Sequence, residues 1–203
     1  EKEEQGVAGE QMSEKDKKGD YHYDIASANF KSMRESDHQA ALHYLARMIA
    51  GGEKTSFISR RIIICAAEDV GLADPDALRV AVSAAQAAEM VGFPEAQIIL
   101  AEAVLYISLA PKSNSTVVGI SAAMTDIAKK SNWSIPRHLK DAHYNGANRL
   151  GYGIAYKYPL AYGGWVKQQY LPDELCSAVY YRPVLNGAEA EIVKRWNKRM
   201  NKE

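Results

Sequence analysis

Helix stop and start signals recur through the middle of this chain at roughly fifteen- to twenty-residue intervals, the length of an ordinary helix and its turn. The first is "SDHQ" at residues 36–39, where Ser36 can act as N-cap and Gln39 as the third-position partner of a capping box. Behind it Ala41, Leu45, Met48 and Ile49 fall on one helical stripe. Gly51 and Gly52 then supply the positive-φ residue that commonly ends a helix. A third helix from about Ser56 places Ile58, Ile62, Ile63 and Ala66 on one face and stops near Gly71. "ADPDAL" starts a fourth, with Asp74 as N-cap and Pro75 in the first turn, and it runs through Met90. Its many alanines predict a helix clamped closely between neighbours. "GFPEAQ", with Pro94 near the start, opens a helix from Glu95 to Leu109 that is apolar almost all round. Such a helix is expected at the centre, buried on every side. Pro111 ends it, and Ser113 or Asn114 can cap the next helix, which runs to Lys130.

The flanks read differently. Residues 1–20 hold almost no large apolar groups and predict a solvated linker. A first helix is expected over residues 23–35. Pro136 predicts the start of a helix through Leu150. The following run, "GYGIAYKYPLAYGGWVKQQYLPDEL", is dense in Tyr, Gly and Pro and reads as an ordered loop pinned by buried aromatic side chains. A last helix is expected from Gly187 to Met200, with Ile192 and Trp196 on one side and cations on the other. The sum is an all-α domain of packed helical hairpins, about six to eight helices, with a long aromatic and Pro-rich loop near its C-terminal end. By this reading 21–203 is one domain, comprising a helical core (21–130), a helix plus aromatic loop (131–186) and a terminal helix (187–203).

Composition removes several function classes. Apolar residues make up 47% of the chain, enough for a packed core. Lys plus Arg and Asp plus Glu number 25 each, so no bulk charge attracts nucleic acid, and any such contact needs a local patch. Cys65 and Cys176 stand far apart in apolar surroundings, which predicts buried free thiols and a reducing, cytoplasmic setting. The most apolar run is short and contains Glu102, so no membrane span is expected. The chain begins at Glu1 rather than Met and is read as a piece of a longer protein.

"GGEKTS" at residues 51–56 looks like the end of a phosphate-binding loop. That motif needs Gly-x-x-x-x-Gly-Lys-Ser/Thr between a strand and a helix. Here Glu53 stands where the second Gly belongs, Met48 where the first belongs, and the upstream segment is helical. The stretch reads as a helix elbow. His38 and His43, like His138 and His143, are five apart, off the three-or-four spacing of one helix face. Glu35 and His38 form a lone Glu-x-x-His, short of a metal ligand set. "GISAA" at residues 119–123 lacks the final Gly of a nucleophile elbow and lies within a helix. Glu68 and Asp69 are adjacent and point about 100° apart, a poor acid–base pair. They read as structural ion pairs, with Arg60 and Arg61 as their expected partners. No catalytic, cofactor or metal residue is therefore assigned. The candidate DNA-contacting cations are Lys112, Lys157, Lys167, Arg182, Lys194, Arg195, Lys198 and Arg199, against the plain alternative of a solvated face.

The stretch from "HYDIASANFKSMRESDHQAALHYLARMIAGG" through "CAAEDVGLADPDAL" resembles the C-terminal part of the RarA/MgsA family, replication-associated recombination AAA+ ATPases related to the Werner-helicase-interacting ATPase. "LAPKSN", "IPRHL", the Gly-Tyr-Gly at residue 151, "QQYLPDEL" and "YYRP" agree in order. "LKDAH" around Asp141 departs from the family's usual "LRNAP". The resemblance implies a helical collar like that of clamp loaders, homo-oligomeric with a tetramer favoured. ATP and Mg²⁺ would belong to an ATPase core outside this sequence, and residues 1–20 to the end of its lid. DNA is an implied partner of the whole protein, single-strand-binding protein another, and the setting is the cytoplasm near the nucleoid. The rival readings are a helical adaptor for another protein and, third, a stand-alone helical enzyme using Glu68, Asp69 or the histidines.

Overall fold

The computed structural model describes residues 14–130 and 132–200, all helix, turn and loop. Two compact units share them, one ending at Ser113 and the other beginning at Asn114. This division falls inside the core expected over residues 21–130, because the sixth helix belongs with the C-terminal segment.

The first unit contains α1 (Glu14–Arg34), α2 (His38–Ala50), α3 (Thr55–Cys65), α4 (Asp76–Val91) and α5 (Ala96–Leu109). Helix α1 starts inside the stretch expected as linker; the rest of that expectation lies outside the described residues. The cap of α2 sits one residue later than expected. Ser36 has φ +62, which suits the turn that closes α1 and not an N-cap. Asp37 takes the role, its Oδ1 accepting from the Ala40 amide at 2.9 Å. Gly52, at φ +83, turns the chain out of α2. The start of α4 is also one residue later than expected: the helix begins at Asp76 with Pro75 at the N-cap position, and Asp74 Oδ1 accepts from the Asp76 amide at 3.0 Å.

Helix α5 packs against all four other helices, so it is the centre of the unit as its composition predicts. Leu100, Ala103, Val104 and Ile107 are fully buried. It is not buried on every side, however: Ile98 and Leu109 are 68% and 66% exposed. Helix α4 offers Ala77, Ala81, Ala84 and Ala88 to the core at i, i+4, i+7 and i+11, and these small residues let α3 and α5 close on it. Met33, Met48, Ile58 and Ile62 fill the remaining interior.

The second unit contains α6 (Ser115–Lys129) and α7 (Ala188–Met200) with long loops between. The helix expected from Pro136 to Leu150 does not form. Only single turns occur, at Arg137–Leu139 and Ala147–Leu150. Asp141 Oδ1 accepts from the His143 amide at 2.9 Å, a local bond that competes with helix, and Gly146 stands at φ +98. Glu189, at zero exposure in the first turn of α7, joins three segments. It accepts from Ser115 Oγ at 2.5 Å, from the Tyr181 hydroxyl at 2.9 Å and from the Val184 amide at 3.3 Å. Gly119 brings α6 against the Tyr180 backbone, whose carbonyl oxygen would lie 3.1 Å from any added Cβ.

Candidate functional site

The adjacent acids Glu68 and Asp69 lie on a five-residue π-helical stretch, Ala66–Val70, that continues α3. Their partner is Arg34 of α1, not Arg60 or Arg61. Arg34 Nε donates to Asp69 Oδ1 at 2.7 Å, and its terminal nitrogen reaches Glu68 Oε1 at 3.5 Å. Arg60 is exposed, and the Arg61 guanidinium stacks 5.2 Å from the Phe30 ring. The hydrogen bond from Arg34 to Asp69 raises the Arg34 pKa. Cys65 Sγ donates to the other Asp69 oxygen at 3.5 Å, and burial, reinforced by that carboxylate, pushes its thiol pKa far up. Arg34 thus pairs closely with Asp69 and more loosely with Glu68, a partner that sequence spacing did not reveal.

Lys112 leaves the set of free cations. Its ammonium donates to Ser36 Oγ and the Ser108 carbonyl at 3.1 Å and to the Ala110 carbonyl at 2.5 Å. It therefore caps the C-terminal end of α5, and burial lowers its pKa.

Residues 52–56 of "GGEKTS" do line an open cavity of about 670 Å³, with Ser59, Glu89 and Phe93. The chemistry there is wrong for a nucleotide. Glu53 pairs with His22, and the Thr55 hydroxyl donates to Glu89. Two carboxylates would face the phosphates, so these residues do not fit ATP–Mg²⁺. Among the described residues no group of three or more His, Cys, Asp or Glu could hold a metal ion. His138 instead meets the Gln169 carbonyl and His143 the Asp141 carboxylate, both at 2.7 Å. Nor is any described helix long and apolar enough to cross a membrane.

The other candidate cations, Lys157, Lys167, Arg182, Lys194, Arg195, Lys198 and Arg199, are all exposed and lie in the second unit. Four share one side of α7, at positions i, i+1, i+4 and i+5. Lys157 and Lys167 stand in the tyrosine-rich loops. Those loops are not pinned by buried rings: Tyr156, Tyr158, Tyr162 and Tyr170 are 44–58% exposed. Hydrogen bonds hold them. The Gln168 side chain accepts from the Lys157 amide at 3.2 Å and donates to its carbonyl at 2.8 Å, and its amide also reaches the Tyr170 hydroxyl at 2.8 Å. Nothing in the sequence marks Gln168 for this work.

Two apolar faces are uncovered. On α6, Ile120, Met124 and Ile127 recur at i, i+4 and i+7, each more than half exposed. In the first unit Leu42, Ala46, Ile49 and Ala101 line a groove of about 430 Å³ between α2 and α5, on the helix that also exposes Ile98. Amphipathic helices ordinarily face such stripes toward a protein interior.

The fold defines an all-α class of domain, with no strand among the described residues. The chain belongs to the family described as MgsA AAA+ ATPase C terminal, whose model matches residues 35–200. It is 52% identical over 181 residues to replication-associated recombination protein A of Bacillus subtilis, a match covering 89% of this chain and 43% of the relative. The protein of the same name from Escherichia coli is 37% identical, with 92% of this chain and 42% of the relative covered. ATPase WRNIP1 of Dictyostelium discoideum is 34% identical, with 82% and 19% covered. The chain thus spans less than half the length of these relatives.

Proposed function

We propose that this chain is the self-association domain of an AAA+ ATPase that acts in replication-associated recombination, and that it does not itself hydrolyse ATP. The observation that carries the proposal is the stripe of Ile120, Met124 and Ile127 on α6, three large apolar side chains each more than half exposed. A stripe of this kind needs a partner surface, and a second copy of the chain is always at hand. The uncovered groove between α2 and α5 supplies further apolar area of the same kind. The resemblance to the family implies a tetramer, with DNA and single-strand-binding protein as partners of the whole protein in the cytoplasm.

Multi-angle light scattering over a wide concentration range tests the reading. The expected result is a mass several times that of one chain. An obligate interface would bury more than roughly 2,000 Å² in total, enough to persist on dilution. A monomer at every concentration would sink it and favour a helical adaptor that uses the stripe for an unlike partner.

A further inference from the structure

The loops between α6 and α7 differ from the rest of the chain in charge and in aromatic content. Between residues 137 and 170 stand five cations, Arg137, Lys140, Arg149, Lys157 and Lys167, against one carboxylate, Asp141, in a chain that is neutral overall. Asp141 is already held by the amide and ring of His143. The same residues include six tyrosines. A surface made for a second copy of the chain would favour Tyr and Arg and avoid Lys. Here lysines stand among the rings, whereas the stripe on α6 carries the uncharged surface suited to self-association.

The loops are also shaped. Gly153, at φ +72, lets its loop press against residues 140–142, where an added Cβ would lie 2.7 Å from Ala142 Cβ. Its amide donates to the Arg137 carbonyl at 3.1 Å. With His138 holding the Gln169 carbonyl and Gln168 holding both backbone groups of Lys157, three loop segments are tied side by side. They line an open cleft of about 440 Å³, with Tyr156, Tyr170, His138, His143, Lys140 and the His143-held Asp141 on its walls. That volume is within the range of small-molecule sites.

We infer that these loops form a stacking platform for single-stranded DNA, with unpaired bases on the rings of Tyr156 and Tyr170 and phosphates on Arg137, Lys157 and Lys167. Every unpaired base offers a π-face to an exposed aromatic ring, and neighbouring cations follow the backbone. Duplex DNA keeps its faces stacked internally and cannot use the rings. The tie through Gln168 places Lys157 and Tyr170 together before the strand arrives, which lowers the ordering cost of binding. This inference rests on the reading that the protein works on DNA, and it adds the strand state and the residues that select it.

The test is fluorescence anisotropy of the 203-residue chain with a labelled oligodeoxythymidylate and with a hairpin duplex of equal length. The single strand is expected to bind more tightly. Tyr156→Ala with Tyr170→Ala should weaken it by about 10-fold or more per ring, while Tyr156→Phe keeps its ring, leaves the Gln168–Tyr170 bond in place and retains most of the affinity. Lys157→Ala with Lys167→Ala should lower the slope of log affinity against log salt by about 0.7 per lysine. Circular dichroism of each variant checks that the helices persist, and Tyr156→Phe separates stacking from a folding defect. Equal binding of duplex and single strand, unchanged by the Ala pair, would overturn the platform and leave the DNA reading standing. If neither probe binds, the platform falls, because it places the DNA on this chain, whereas the DNA reading concerns the whole protein.

Discussion

Arg34 Nε donates to Asp69 Oδ1 at 2.7 Å across 35 residues of chain, joining the last turn of α1 to the π-helical turn after α3. The Asp69 side chain is 8% exposed and that of Arg34 40%. The same turn accepts the Ser113 amide on the Asp69 carbonyl at 2.8 Å, so the chain leaves the first unit from a point that this pair fixes.

Removing Arg34 strands a nearly buried carboxylate. Arg34→Ala should lower stability by about 2 kcal/mol, less than for a fully buried pair because water reaches the arginine. Arg60→Ala, at an exposed site without that contact, should change it by less than about 0.5 kcal/mol. Urea denaturation of both variants decides; equal losses would mean that the pair adds nothing particular.

The thiols should separate cleanly by reactivity. The sequence reading expected two buried cysteines, but Cys176 is exposed while Cys65 is buried beside Asp69. Burial raises the Cys65 pKa and keeps the thiolate scarce. A thiol reagent should therefore label Cys176 in the native chain and reach Cys65 only after denaturation. Prompt native labelling of both, seen by peptide mass spectrometry, would contradict the packing.

Alkaline pH should loosen the second unit. Partial desolvation of a side chain that remains 44% exposed, then the hydrogen bond to Glu189, pushes the Tyr181 phenol up to about 12 from an ordinary value of 10.0. A pKa raised in the folded state favours the neutral phenol. Its contribution to stability is complete below pH 10.0 and is lost as pH climbs toward about 12. Tyr181→Phe should flatten that part of the stability profile, as followed by thermal melts across the range. A profile identical to that of the parent chain would remove Tyr181 from the cause.

Association should depend on α6. Ile120→Glu with Ile127→Glu places two charges on the exposed stripe without touching the first unit's core. The self-association constant should fall by about 30-fold or more, in the range of an interface hot spot. Sedimentation velocity reads the change, and an unaltered distribution would move the interface to the groove between α2 and α5.

Which parts of the protein could be read in advance follows from how far the determining interactions reach. The helices, their glycine and proline stops, the central place of α5 and the alanine contacts of α4 depend on neighbours within a few turns, and the sequence alone determined them. It also ruled out a phosphate loop at residues 51–56, since Glu53 and the missing glycines are local facts. The helix expected from Pro136 failed because a side chain–backbone bond at Asp141 and a left-handed Gly146 outweigh propensity there. Tertiary structure decided what lies far apart in sequence. It chose Arg34 over Arg61 for Asp69, brought Ser36 to the Lys112 ammonium and buried Glu189. It also left the rings of the tyrosine loops exposed. Charge, hydrogen-bonding capacity and ring size are written in each residue type, but burial and partner choice come from which elements pack together. Only the folded chain sets those distances.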